Sequence, residues 1–398
     1  MLRPAFVFAA VAFLIAMIGT TLPTPLYPVY EREFAIAPVL IPVIFAVYAL
    51  AVVAGLLFFG RLSDEIGRRG VLLAGLILSG ASAVVFLLAH SIAPLLIGRV
   101  LSGLSAGIFT GTATALLVEL APANRRKPAA MFAVGVNTAG LGLGTLLSGA
   151  LATYAPAMAL RLPYGVDAVL VVAGIAAVLA VPETVENRRA GFALRITRLS
   201  VPHEIRGTFW RAAIAGMCAF AVSGLFSAVV PSFFVRVLHE SEPVATGAVV
   251  FVLFIATALG QLSIANVSPP RALRFACAAL VAGTAVLAFA VASKSAALCF
   301  VAAAVEGVGQ GLAMGSGLGA INEQTQARRG ELSSTYFVML YAALALPVIG
   351  TGALATAVGL SVAALIFCGA IGATVTLVWA AAYFASRTPL SQEPSSMK

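Results

Sequence analysis

Charged residues are scarce in this sequence. Asp, Glu, Lys and Arg together make up 10% of the 398 residues, and residues 332 to 386 contain none of them. Hydrophobic types account for 61% of the chain, and the mean hydropathy is +1.05. A soluble domain carries about 25% charged residues, which cover its surface in water. The composition therefore excludes an ordinary soluble globular protein.

Reactive and metal-binding side chains are also scarce. The chain has three histidines and four cysteines. The cysteines lie inside apolar runs at spacings that fit neither a zinc site nor a redox pair. No cluster of histidine, cysteine or carboxylate residues has catalytic spacing. We therefore expect no enzymatic activity, no metal site and no cofactor.

The sequence is rich in apolar runs of about 20 residues, the length that crosses the ~30 Å hydrocarbon core of a bilayer as a helix. The charge-free stretch near the end is too long for one crossing and must reverse near Gly359. The pattern predicts an all-α integral membrane protein with twelve transmembrane helices. The predicted spans are residues 5–28, 38–60, 70–90, 92–118, 128–153, 163–181, 208–236, 243–265, 270–292, 295–320, 331–357 and 360–386.

Lysine and arginine are distributed unevenly between the loops. By these spans, 19 of the 24 lie on the side of both termini. Four lie on the other side, namely Arg32, Arg161, Arg236 and Lys294, and Arg99 lies within a span. Short loops that carry many basic residues tend to lie on the cytoplasmic side of the membrane. We therefore expect a multi-pass protein of the plasma (inner) membrane with both termini cytoplasmic. The basic residues form no tract with interleaved aromatics, so no nucleic acid partner is expected.

The chain divides into two similar halves. A long polar insertion from Pro182 separates the sixth and seventh spans, which predicts an N-terminal six-helix bundle over residues 1–182, a cytoplasmic linker over 183–207 and a C-terminal six-helix bundle over 208–398. Short segments recur after a shift of about 200 residues, as GRLS at Gly60 does in GQLS at Gly260. Such repeats are typical of transporters whose substrate site lies between the halves.

Four short motifs carry a resemblance to a known family. In GRLSDEIGRRG at 60–70, Gly60, Leu62, Asp64, Gly67, Arg68 and Arg69 match the pattern G-x-L-a-D-r-x-G-r-k of the major facilitator superfamily. IGTTLPTPLYP at 18–28 fits l-g-x5-P-v-x-P, and Arg99 with Gly103 fits R-x-x-q-G. The fifth-span pattern g-x-x-x-G-P-x-x-G-G is met by Gly140, Gly144 and Gly149, with Thr145 in place of its proline. Together these motifs resemble the twelve-helix drug:proton antiporter family.

The resemblance implies a proton-coupled secondary active transporter that exports small organic or drug-like compounds by alternating access between two six-helix bundles. It implies a cytoplasmic gate in which Asp64 contacts the start of the eleventh helix. The gate residues are Gly60, Asp64, Gly67, Arg68, Arg69 and Glu119. It also implies that Arg99 influences proton coupling. The expected partners are a small-molecule substrate, protons and the lipid bilayer, and the expected form is a monomer.

Two ionisable residues lie deep within apolar spans, where a charge costs at least ~2.5–3.5 kcal/mol on insertion scales. Arg99 lies in the fourth span and Glu306 in the tenth, its counterpart in the repeat. Both are expected to face a central cavity. Glu306 is the candidate for a reversible proton carrier; an ion pair with Arg99 or a contact with a cationic substrate are the alternatives. Asp167 is expected at the membrane interface, where the sixth span starts.

Polar and aromatic side chains inside the spans are candidates for the wall of the substrate cavity. They are Tyr48, Phe109, Asn137, Phe220, Phe226, Gln261, Gln310, Tyr336 and Tyr341. Aromatic rings suit amphiphilic compounds. Each amide could equally join two helices, and each ring could equally pack in a core or face lipid.

Two other functions remain open. The altered fifth-span pattern favours a proton-linked importer or facilitator of sugars or other metabolites. A non-transporting membrane receptor or scaffold is a remote alternative, since it would have little use for Arg99 and Glu306 in the membrane.

Overall fold

The computed structural model describes residues 4–59, 62–185, 199–264, 267–322 and 326–385. The described residues form helices, turns and loops without strands. The α-helices are α1 Pro4–Thr21, α2 Tyr27–Glu33, α3 Leu40–Phe59, α4 Leu62–Ile66, α5 Arg68–Leu87, α6 Ile92–Leu120, α7 Arg126–Tyr154, α8 Leu162–Leu179, α9 Arg206–Ala228, α10 Val230–Arg236, α11 Pro243–Ser263, α12 Pro269–Ser293, α13 Ala296–Asn322, α14 Gln326–Val358 and α15 Leu360–Ala385.

Twelve helical segments are long and apolar enough to cross a membrane. They correspond one to one to the twelve predicted spans, so the number of crossings is confirmed. The predicted reversal near the C-terminus is also confirmed, because α14 ends at Val358 and α15 begins at Leu360. The single residue between them, Gly359, has φ 84°. Glycine adopts such a backbone without steric cost, which allows a one-residue turn between two long helices.

Two spans that the sequence predicts as continuous are interrupted in the structure. The first breaks after α1 and passes through a short 3-10 turn over Thr24–Leu26 into α2. The seventh breaks at Val229, between α9 and α10. Pro23 and Pro231 lie at these breaks, and proline lacks the N–H that would continue the helical hydrogen bonds. Both breaks lie at the end of the molecule opposite the start of α1.

The two halves repeat the same close helix packing. Gly103 and Gly107 bring α6 against α3, where a Cβ added at Gly107 would lie 2.7 Å from the Val52 carbonyl oxygen. Gly307 and Gly311 bring α13 against α11 in the same way. The second pair follows the first by about 200 residues, so the repeat in the sequence is also a repeat in packing. The predicted linker boundaries stay a prediction, since residues 186–198 lie outside the described part.

The closest contacts between the halves lie at the end opposite the start of α1. There α7 packs against α11 and α3 against α14. A Cβ added at Gly149 of α7 would lie 2.6 Å from the Pro243 carbonyl oxygen, and Glu31 forms an ion pair with Arg236. Towards the other end, a Cβ added at Gly135 of α7 would meet nothing within 4 Å. The molecule is therefore tightly closed between its halves at one end.

Candidate functional site

A cavity of about 70 Å³ lies between the two halves, near the middle of the long helices. It is bordered by α1, α3, α6 and α7 of the first half and by α9, α11, α13 and α14 of the second. The lining residues are Thr20, Thr21, Thr24, Phe45, Tyr48, Arg99, Thr110, Asn137, Thr138, Leu141, Phe220, Ser223, Ser227, Phe254, Thr257, Gln310, Met314, Phe337, Tyr341 and Leu344. Its position between the halves is that of a substrate site in a transporter built from a repeat.

Five of the nine predicted wall residues line this cavity, namely Tyr48, Asn137, Phe220, Gln310 and Tyr341. The other four do not border this cavity. Phe109 stacks on Phe13 inside the first half, with 6.2 Å between ring centroids. Phe226 is fully buried in the hydrophobic core, Tyr336 packs against Phe209, and Gln261 lies on α11 away from the cavity.

The sequence reasoning missed the hydroxyl residues that make up much of the wall. Most are short Thr or Ser side chains within apolar runs. A single hydroxyl there does not predict a site, because it can donate its hydrogen bond to a carbonyl of its own helix. The Gln310 Oε1 accepts hydrogen bonds from Ser223 Oγ at 2.8 Å and from Thr257 Oγ1 at 3.0 Å. This network joins α9, α11 and α13 at the cavity wall. The four-residue spacing of Ser223 and Ser227 on α9 was the available signal.

Arg99 contributes the charge of the cavity. Its side chain is 1% exposed, and Nη1 donates to the Thr20 carbonyl at 2.8 Å. The guanidinium lies 4.4 Å from the Tyr48 ring centroid and 5.7 Å from that of Phe45. Nε is buried without a described partner. The expectation that Arg99 faces the central cavity is therefore confirmed.

Glu306 does not face the cavity, so that expectation is wrong. It is 1% exposed, and its Oε1 accepts a hydrogen bond from Thr284 Oγ1 at 2.6 Å, on α12. A Cβ added at Gly283 would lie 2.7 Å from Glu306 Cγ, so the carboxylate lies against the α12 backbone. The second oxygen, Oε2, has no described partner. Arg99 and Glu306 form no ion pair between them, since each has its own surroundings within its own half.

Asp167 is buried between helices of the first half, and its expected position at the membrane interface stays a prediction. It lies in α8 and is 2% exposed. A Cβ added at Gly19 of α1 would lie 2.9 Å from its Oδ2 and 3.2 Å from Ser79 Oγ. Asp167 Oδ1 has no described partner. Among the described side chains, each half thus encloses one carboxylate between its helices, Asp167 in the first and Glu306 in the second.

The predicted gate residues form a charged cluster at the end of the molecule where α1 begins. Arg68 pairs with Asp64, and its Nη2 lies 2.8 Å from Glu119 Oε1. The Asp64 side chain is 58% exposed, whereas that of Arg68 is 10% exposed. Gly67 adopts φ 111°, which only glycine tolerates readily, and precedes the first turn of α5. Gly60 and the residues just before α14 lie outside the described part, so the contact of Asp64 with the eleventh span stays a prediction.

Glu183 completes this cluster, and the sequence reasoning missed it. Its carboxylate accepts hydrogen bonds from the backbone N–H groups of Arg68 at 2.8 Å and Arg69 at 3.1 Å. It thereby binds the free amides and the positive dipole end of α5. Partial burial alone raises the pKa of this carboxyl, but the N–H groups of Arg68, Arg69, Thr184 and Val185 outweigh it and hold the pKa below the ordinary value.

Glu183 follows the end of α8 and connects it to the start of α5. The only signal in the sequence was a carboxylate placed directly after the sixth span. Thr184 extends the same link, because its hydroxyl donates to Glu119 Oε2 at 2.6 Å. The cluster therefore joins the ends of α5, α6 and α8 within the first half.

The fifth-span motif lies on α7 and contacts both halves. Gly140 faces α1, where an added Cβ would lie 2.9 Å from the Leu14 carbonyl oxygen, and Gly144 also lies against α1 at Ile18. Thr145 donates its hydroxyl to the Gly247 carbonyl of α11 at 3.0 Å. Gly149 then brings α7 against the first residues of α11. The motif is thus a close interface between three helices at the closed end.

Comparison with known proteins places these features in one family. The profile of the Major Facilitator Superfamily matches residues 9–346. The quinolone resistance protein NorA of Staphylococcus aureus is 26% identical over 191 residues, 48% of this chain and 48% of NorA. The cephamycin export protein CmcT of Amycolatopsis lactamdurans is 32% identical over 146 residues, 36% of this chain and 30% of CmcT. The chain matches about half the length of NorA and less of CmcT.

Solved structures of two complexes share the fold over nearly the whole chain. A POT family transporter in complex with 5-aminolevulinic acid superposes with a TM-score of 0.70 at 12% identity, covering 96% of both chains. A POT family transporter in complex with a thioalcohol-conjugated peptide gives a TM-score of 0.69 at 13% identity, covering 95% of this chain and 94% of the other. At these identities the likeness concerns the fold alone.

Proposed function

The chain belongs to the major facilitator superfamily, and on that premise we propose that it is a proton-coupled exporter of small organic, drug-like compounds. The central cavity between the two halves is the observation that carries this proposal, because it places polar and aromatic side chains at the depth where a substrate would cross. The partial similarity to NorA and CmcT, named for quinolone resistance and cephamycin export, favours export as the direction. The family is one of transporters, so the expectation of no enzymatic activity is confirmed.

Alternating access would proceed by separating the contacts that close one end. At their closest points, the α7–α11 and α3–α14 interfaces consist of glycine and proline residues. Because no large side chain lies between the bundles there, their helices can approach closely. With the termini in the cytoplasm, the closed end is the external one. The cluster of Asp64, Arg68 and Glu119 lies at the opposite end, where the predicted contact of Asp64 with the eleventh span would hold the halves together in the other state.

Proton coupling is assigned in this proposal to Glu306. Its carboxylate has one oxygen bonded to Thr284 and one without a described partner, and no cation pairs with it among the described residues. Loss of its proton would place a charge against the α12 backbone at Gly283 and disturb the α12–α13 contact. One turn further along α13, Gln310 lines the cavity, so a movement of this helix changes the site. Arg99 keeps its proton and acts through its charge.

A second function is favoured by one residue. Thr145 stands where the antiporter pattern has a proline, and its hydroxyl holds α7 to α11 at the Gly247 carbonyl. This substitution fits a proton-linked importer or facilitator of sugars or other metabolites, in which the interface is not that of an antiporter.

Reconstitution tests the proposed function directly. The purified protein in liposomes with an imposed pH gradient is expected to move a quinolone or a cephamycin against its own concentration gradient. A protonophore is expected to abolish this movement. Movement that only follows the compound's own concentration gradient would identify a facilitator. Movement towards the side of the liposome membrane that corresponds to the cytoplasm would identify an importer.

The gate is tested by Asp64→Asn. The Asp64 side chain is 58% exposed, and Arg68 keeps its ion pair with Glu119 when Asp64 is changed, so the loss of the Asp64 carboxylate costs little stability, about 0–1 kcal/mol. A several-fold loss of turnover with unchanged substrate affinity is therefore expected from the gate and not from unfolding. Initial transport rates and equilibrium binding in the same preparation measure the two quantities. Glu65→Gln removes the neighbouring charge and serves as a control. Equal turnover in Asp64→Asn and the parent would contradict the gate and show that the charged segment only sets the orientation of the protein in the membrane.

A further inference from the structure

The charge inside the central cavity has no counter-ion among the residues that the structure describes. Among the twenty lining residues, Arg99 is the charged one, and none is a carboxylate. The two buried carboxylates nearest the middle of the helices are directed elsewhere, Glu306 towards Thr284 and Asp167 towards Gly19 and Ser79. No described carboxylate forms an ion pair with Arg99. The cavity therefore carries a net positive charge.

The immediate surroundings of Arg99 satisfy it only in part. One of its N–H groups donates to the Thr20 carbonyl, and the rings of Tyr48 and Phe45 lie against the guanidinium. The Nε group is buried and has no described partner. A guanidinium offers five N–H donors in a planar fork that matches a carboxylate in two parallel hydrogen bonds. An isolated buried charge is costly, and an anion bound beside it would lower that cost.

The rest of the wall suits an apolar body next to an anionic group. Phe220, Phe254, Phe337 and Leu344 supply apolar surface, and Ser227 adds a hydroxyl group. The present cavity of about 70 Å³ holds only a small group, so a larger compound requires the bundles to separate. The head group can nevertheless stay at Arg99, whose carbonyl partner Thr20 belongs to the same half.

We propose that Arg99 binds the anionic group of the substrate and that the transported compounds are amphiphilic organic anions, carboxylates above all. This inference rests on the proposed function for transport itself, but the binding preference can be tested without transport. It also argues against the alternative in which Glu306 contacts a cationic substrate, because a cation would meet the Arg99 charge in a cavity whose described lining contains no carboxylate.

Three probes of one shape test the preference, namely naphthalene-2-carboxylate, the neutral naphthalene-2-carboxamide and the cationic 2-naphthylmethylamine. Isothermal titration calorimetry on the purified full chain in detergent is expected to show the carboxylate binding at least about tenfold more tightly than the amine. Arg99→Gln is expected to abolish this preference. Arg99→Lys is expected to keep part of it, because lysine retains the charge and loses the planar fork. Arg161→Gln removes an exposed positive charge outside the cavity and is expected to bind as the parent does.

Several outcomes would overturn the proposal. They are an amine that binds the parent as tightly as the carboxylate, a preference that survives in Arg99→Gln, and no binding of any of the three probes. Thermal unfolding of each variant identifies a purely structural role, which would lower stability without changing the order of affinities. If Arg99→Gln does not fold, the order of affinities in the parent and in Arg99→Lys decides.

Liposome transport of the same probes separates this inference from the proposed function. Proton-driven movement of the amine and not of the carboxylate would leave the exporter intact and reject the anion site. Binding of the carboxylate that depends on Arg99, without proton-driven movement of any probe, would keep the anion site and reject the coupled exporter.

Discussion

Gly149→Ala is expected to lose at least about tenfold in transport rate while the protein stays folded. The added Cβ would lie 2.6 Å from the Pro243 carbonyl oxygen and 3.1 Å from Val244 Cα. These atoms belong to the backbone of α11 in the other half, so no side chain can rotate away. The two halves must separate by several tenths of an ångström, which destabilises the state closed at this end. A transporter that cannot close one end completes its cycle slowly.

Gly135→Ala is the matched control on the same helix. A Cβ there would meet nothing within 4 Å, and both changes replace glycine by the better helix former alanine, worth about 1 kcal/mol in α7. Any difference between the two variants therefore comes from the contact with α11. Proton-driven transport in liposomes measures the rates, and Gly135→Ala is expected to stay within about twofold of the parent.

The conformational cause of the Gly149→Ala defect has its own readout. Ser232 is 9% exposed and borders two pockets of about 250 and 500 Å³ at the closed end. The four native cysteines are buried, so a cysteine introduced at position 232 reports on this region. Its reaction with a polar maleimide is expected to be faster in Gly149→Ala than in the parent. Parent-like transport together with unchanged labelling would show that this interface is not a closed state of the cycle.

The length of the apolar runs and the backbone freedom of glycine made the fold predictable from the sequence. Each crossing needs about 20 apolar residues, so the count of twelve follows from the runs themselves. The reversal at Gly359 followed from the same length limit. The breaks at Pro23 and Val229 were missed, because hydropathy does not distinguish a straight helix from one that is interrupted near a proline.

The candidate site was less predictable, because the direction of a side chain depends on how each helix is rotated in the bundle. Arg99 and Glu306 lie at similar depth in their helices, but their side chains point in different directions. Arg99 faces the space between the halves, and Glu306 faces α12. A helix that is apolar all round gives no stripe from which to read that rotation. The contacts of α13 with both α11 and α12 settle it in the structure.

Glu306→Gln is expected to lose at least about tenfold in proton-driven accumulation of substrate. The glutamine amide keeps the size of the side chain and can keep a hydrogen bond with the Thr284 hydroxyl, so the α12–α13 contact is preserved. What the variant cannot do is take up and release a proton. Exchange of labelled for unlabelled substrate at equal concentrations requires no net proton movement and is expected to stay within about twofold of the parent.

Asp167→Asn is the matched comparison, since it neutralises the buried carboxylate of the other half. Asp167 lies against Gly19 and Ser79, and no residue of α8 borders the cavity. Glu306 instead lies on α13, which carries Gln310 and Met314 into the cavity wall. Protonation of Glu306 would therefore act on a helix that borders the cavity, whereas protonation of Asp167 would act on a helix that does not. Coupling is expected to persist in Asp167→Asn; if that variant loses accumulation while Glu306→Gln keeps it, the proton carrier lies in the first half.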